Sequence, residues 1–91
     1  MYRFTSPITM GNASSSLAAC VQAIDRGETE IALDGLAHSD SSAVAVLLAI
    51  ARHAGFNGKR LRLTGMPAGL ASLAKLYGVD ALLPVAGPAP A

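Results

Sequence analysis

One carboxylate and a run of hydroxyls stand together in His38-Ser39-Asp40-Ser41-Ser42, and these are the residues best suited to chemistry in this chain. Three chemistries fit them. Asp40 or Ser41 can cap a helix by accepting bonds from its free amides. A hydroxyl at a helix N-terminus can also receive a phosphate, whose charge of about −1.5 to −2 the helix dipole would stabilise. Ser41 with His38 and Asp34 has the residue types of a nucleophile set, but catalysis needs hydrogen-bond reach, which neighbourhood in sequence does not supply. No His, Cys and carboxylate spacing suits a metal. Gly65-Met66-Pro67-Ala68-Gly69 matches neither common phosphate-loop pattern. The chain is therefore read as a non-enzymatic docking module without cofactor or metal, its contact tuned at the hydroxyls.

The elements around this cluster decide what it can touch. Before it, Glu30 to Leu36 reads as a strand with Ile31, Leu33 and Leu36 inward or sandwiched. After it comes a long helix, apolar nearly all the way round, which Gly55 is expected to close near His53. Val44, Leu47, Leu48 and Ala51 share one stripe, and Ala43, Val46, Ile50 and His53 run beside it. Ser42, Ala45, Ala49 and Arg52 form a flatter side of smaller residues. Periodicity leaves open which stripe faces inward. Small side chains let a neighbouring backbone come close, and a stable interface needs about 1,000 Å².

Elsewhere, Tyr2 to Met10 carries β-type residues broken by Pro7, which implies an edge strand or a strand pair interrupted at Ser6-Pro7. Asn12 to Ser16 offers helix caps ahead of Leu17, Cys20, Val21 and Ile24. Arg60 to Thr64 alternates basic and apolar residues, a half-exposed strand. Pro67 opens a third helix with the stripe Leu70, Leu73, Ala74 and Tyr77, and Val79 to Leu83 is expected to form a last strand. Strand and helix in alternation call for βαβ units and a largely parallel sheet. In such sheets partners meet the loops after the strands, here the Asp40 loop and Thr64-Gly65-Met66-Pro67.

Bulk properties agree with one domain. The 91 residues are 52% hydrophobic and 14% charged, with a formal net charge of +1. The composition excludes a disordered chain. Basic residues are scattered apart from Lys59-Arg60-x-Arg62, without the stacking rings and continuous stripe that nucleic acid requires. A lone cysteine, Cys20, in an apolar pattern fits a reducing compartment. No signal peptide and no run of about 18 apolar residues is visible, so a cytoplasmic location is expected.

The pattern Leu33-Asp34, a short loop, then Asp40-Ser41-Ser42 opening an aliphatic helix resembles the signature of STAS domains, the sulfate-transporter and anti-sigma-factor-antagonist modules. Arg60-Leu61-Arg62-Leu63-Thr64-Gly65 and the following Pro67 to Val79 agree with the family's next strand and helix. Within the family the chain is most similar to MlaB-like subunits of bacterial phospholipid-trafficking ABC transporters. The resemblance implies an α/β fold, a STAS-like single domain over residues 1–83, and a mixed, mostly parallel sheet of about 4–5 strands with three helices. Residues 84–91 are expected to be a disordered tail rich in proline and alanine. It implies a cytoplasmic subunit that binds the transporter's ATPase, touching the membrane only through that complex. Ser41 matches the phosphoacceptor or contact position, and the partner-binding residues are expected to be Ser39, Asp40, Ser41, Ser42, Ala45, Ala49, Met66 and Pro67. The alternative is an anti-sigma-factor antagonist, bound to an anti-sigma factor and switched by a serine kinase. Ala43 stands where phospho-switched members commonly carry glycine, and Ser39 where an apolar residue is frequent.

Overall fold

The computed structural model describes residues 1–36 and 39–84. Three strands and three helices alternate: β1 (Tyr2–Arg3), α1 (Ala13–Asp25), β2 (Glu30–Ala32), α2 (Ser41–Phe56), β3 (Arg62–Thr64) and α3 (Ala68–Leu76). The strands pair in parallel in the order β1-β2-β3, with Tyr2 opposite Ile31 and Ile31 opposite Leu63. In a sequential parallel sheet, right-handed crossovers put both connecting helices on the same face. The packing agrees, with α1 against α2 and α2 against α3. Ile31, Leu33, Leu61 and Leu63 enter the core, while Arg3 and Arg62, one residue out of phase, are exposed.

The fold is α/β as expected, but among the described residues the sheet has three strands rather than four or five. Two segments account for the difference. Between Pro7 and Met10 the backbone donors are taken by side chains: Ile8 N–H bonds Ser39 Oγ at 2.8 Å and Thr9 N–H bonds Asn12 Oδ1 at 2.8 Å. A donor engaged in this way cannot build a ladder. At the other end, the expected strand Val79 to Leu83 is instead a 3-10 turn, Asp80–Leu82, after which Leu63 N–H reaches Pro84 O at 3.0 Å. A single bond beside β3 replaces the missing strand. The expected tail lies, apart from Pro84, outside the described residues.

Two glycines shape the frame. Gly55 stays helical and does not close α2; the left-handed turn falls three residues later at Gly58, with φ 67°. Gly35 sits in the 3-10 turn Asp34–Leu36 where a Cβ would overlap the Phe4 carbonyl oxygen, so only glycine lets this turn lie against the end of β1.

The core is aliphatic. Ile8, Ile24, Ile31, Leu33, Leu36, Leu47, Ile50 and Leu63 are wholly enclosed, together with Cys20. Burial pushes the Cys20 thiol up to about 12, which leaves it an inert small hydrophobe at neutral pH. Tyr77, expected on the inward stripe of α3, is instead 54% exposed. Leu70 and Ala74 suffice to seat this nine-residue helix, and Tyr77 falls just beyond its last turn.

Candidate functional site

The mouth of α2 is built by a clamp and a cap. Ser39 Oγ accepts from the Ile8 amide while the Asp40 amide donates to the Ile8 carbonyl at 3.2 Å. Ile8 is fully buried, so this pair of bonds fixes the loop to the core. Asp40 then caps the helix, its Oδ1 accepting from the Ser42 amide at 2.8 Å and from the Ser42 hydroxyl. The Ser42 hydroxyl, followed by the Ser42 amide, holds the Asp40 carboxyl below the usual carboxylate range. Ser39 and Asp40 thus serve the local architecture, and the Ser42 hydroxyl is turned to the cap.

Ser41 differs from its neighbours. It is exposed at the first position of α2, and its hydroxyl makes no hydrogen bond among the described residues. Beside it lies a shallow apolar groove of about 280 Å³, lined by Ser41, Val44, Ala45, Leu48, Tyr77 and Val79. On the opposite flank of α2 a second groove of about 190 Å³ is lined by Ala13, Ser14, Leu17, Ser42, Ala45 and Val46. Ala45 lines both. An exposed alanine therefore forms a low ridge between two apolar clefts, one against α1 and the other against the end of α3.

Of the expected contact residues, the structure gathers Ser41, Ser42 and Ala45 on this surface. Ala49 follows one turn on and is half-buried. Met66 and Pro67 are half-buried ahead of α3, with Met66 packed on the core, and they line neither groove beside Ala45. Leu17, Leu48, Tyr77 and Val79 belong to the surface and escaped the sequence reading. Their signal was weak: Leu17 and Tyr77 lie in apolar stripes that point inward by periodicity alone, and only the packing of α1 and α3 on α2 brings them beside Ala45.

Asp34, a member of the nucleophile set weighed above, pairs with Arg3 at 2.5 Å. His38 lies outside the described residues. No group of three His, Cys, Asp or Glu side chains able to hold a metal occurs among the described residues. His53 Nε2 lies 2.7 Å from Asp25 Oδ1 and ties α2 to α1, far along the helix from Ser41.

A family model described as "MlaB, STAS domain" matches residues 5–84. The chain belongs to the STAS-domain family. No match was found among curated proteins. The matched span starts just after β1 and reaches Pro84, so it takes in the Asp40 cap, the Ser41 grooves and all three helices of this STAS domain. No helix among the described residues is long and apolar enough to cross a membrane.

Proposed function

We propose that this STAS domain is a non-enzymatic cytoplasmic subunit that binds the ATPase of an Mla-type, phospholipid-trafficking ABC transporter and supports its assembly or activity. The contact runs through Ser41 and the exposed side of α2. The observation that carries this reading is Ala45, an exposed small residue on a ridge between two apolar grooves. Two clefts flanking a ridge accept side chains from an opposing helix or loop, and the small ridge lets that backbone come close. Ser41 at the rim adds a polar group with unspent bonding capacity, while the family match to an MlaB-type domain supports the choice of partner.

The switched anti-sigma-factor antagonist remains the second reading, favoured by the exposure of the Ser41 hydroxyl. Ala43 speaks against it. Its methyl group is fully buried at the start of the helix, so the entrance lacks the pliancy that glycine would give a kinase.

The test is co-purification with the ATPase subunit of an Mla-type transporter from the same source. Ala45→Arg is expected to abolish the complex and Ser41→Glu to weaken it. An intact complex in both variants refutes the surface. A single added phosphate on Ser41, seen by intact mass after exposure to cognate serine kinases, would instead favour the switched antagonist.

A further inference from the structure

The groove beside Ser41 does not end at the first turns of α2. Leu48, which lines it, also lines a trough of about 300 Å³ with Ala51, Arg52 and Leu82. Ala51 and Leu82 in turn line a third, of about 370 Å³, that passes Gly55 and reaches Arg60 and Pro84. Shared walls join the three into one path along the exposed side of α2. From residue 41 to residue 55 the helix rises by roughly 21 Å, enough to seat several residues of another chain.

Charge changes along this path. Asp40 stands at one end; Arg52 and Arg60 stand toward the other, both exposed and neither in an ion pair among the described residues. Lys59, between them, is already engaged, its Nζ donating to the Ile24 carbonyl at 2.5 Å. The sequence explains the imbalance. No Asp or Glu occurs between Asp40 and Asp80, an interval that holds Arg52, Lys59, Arg60, Arg62 and Lys75. A net charge of +1 conceals a chain whose acids lie mostly before α2 and whose cations lie mostly within and after it.

We propose that this trough takes an acidic segment of the same partner protein, its apolar side chains over Leu48, Ala51 and Leu82 and its carboxylates on Arg52 and Arg60. The inference rests on the docking reading and adds the chemistry of the segment that extends the contact. A guanidinium presents a planar fork that matches a carboxylate in two bonds, which favours acids over other occupants. The floor is concave and apolar, a shape that side chains fill and a flat bilayer does not. Leu82, 66% exposed in the free chain, would be covered. The path also continues the Ala45 surface, which at two turns of helix is small for a specific interface of about 1,000 Å².

The experiment titrates the full chain against the purified ATPase subunit over a salt series. Arg52→Glu with Arg60→Glu is expected to weaken binding by about tenfold at low salt and to flatten its salt dependence. Unchanged affinity in that variant overturns the proposal. So does a wild-type affinity that salt leaves untouched. If the reversed pair instead abolishes flotation with phosphatidylethanolamine–phosphatidylglycerol vesicles while ATPase affinity persists, the cations serve a membrane and the proposal also falls. An independent readout, insensitive to any fold defect of the reversed pair, places photoreactive benzoylphenylalanine at Leu82 in the complex. The expected adduct is a partner peptide bearing Asp or Glu; a peptide without carboxylates overturns the assignment. Ala45→Arg separates the two levels. Lost binding there, with full affinity in the reversed pair, retires this inference and keeps the docking reading, whereas full affinity in both retires both.

Discussion

The two sides of α2 make opposite use of apolar residues. The inner side carries Val44, Val46, Leu47 and Ile50, which are branched, bulky and enclosed by the sheet and flanking helices. The outer side carries Ser41, Ala45 and Ala49, which are small and leave clefts on their flanks rather than filling them. Bulk on the inside satisfies this chain's own packing, and smallness on the outside leaves room for another's. Apart from Ala43 and Ala54, which are small and also buried, the helix thus keeps its bulkier side chains inside and a small one, Ala45, at the exposed ridge.

Paired substitutions break or sharpen that contrast, and the largest effect belongs inside. Leu47→Ala removes a fully buried side chain and is expected to cost about 2–5 kcal/mol, read from urea or thermal unfolding. For a domain of this size, that threatens the fold itself. Ala45→Arg, two residues away on the outer side, is expected to change stability by no more than about 0.5 kcal/mol while weakening partner binding by about a hundredfold. Comparable loss of stability in both variants would erase the distinction between the two sides.

The sequence conveyed this division only in part. A cap at Asp40 or Ser41 was legible because polar side chains ahead of an apolar helical run accept from its free amides, and the structure gives the role to Asp40; the alternation around Leu61 and Leu63 declared their strand. The long helix was legible too, but its orientation was not: two adjacent stripes are both apolar, and the structure buries Ala43, Val46 and Ile50 of one and Val44 and Leu47 of the other, while Leu48 and Ala51 are half-buried and line the outer grooves. Val79 to Leu83 misled because a short apolar run has no helical or strand period of its own, and Asp80 prefers the turn it forms. Tyr77 and Leu17 were hidden for another reason. Each gains its place beside Ala45 from packing between helices far apart in sequence, which no pattern within one helix encodes.

A smaller effect concerns the frame that sets α2 on the sheet. Gly35→Ala introduces a methyl group into the space of the Phe4 carbonyl, so β1 and the turn after β2 must separate. The expected loss is about 1–3 kcal/mol, measured by chemical unfolding. Because the turn leads into the Ser39 clamp, the same variant is expected to weaken docking through a displaced helix mouth. Wild-type stability would mean that the turn rests against β1 without constraint.

The gentlest test asks whether Asp40 serves only its own helix. Its carboxyl is held below the usual range by the Ser42 hydroxyl and amide, so its ionised form favours the folded state. The sign follows: this contribution is complete above the unfolded carboxylate value of about 3.9 and fades as pH falls through the lower folded value. Asp40→Asn keeps a side-chain oxygen able to cap, and asparagine is a good cap, but it does not ionise. Urea midpoints of the two proteins, measured from about pH 6 down to about pH 2, are expected to differ slightly at the upper end and to draw together in acid. A constant gap across that range would mean that ionisation of Asp40 contributes nothing. Partner affinity of the same variant adds the decisive comparison. If Asp40 acts through the cap alone, Asp40→Asn binds as the wild type does and the polar contact falls to Ser41. If affinity drops while the fold holds, the carboxylate itself meets the partner, and the acidic end of the α2 path faces a cationic group.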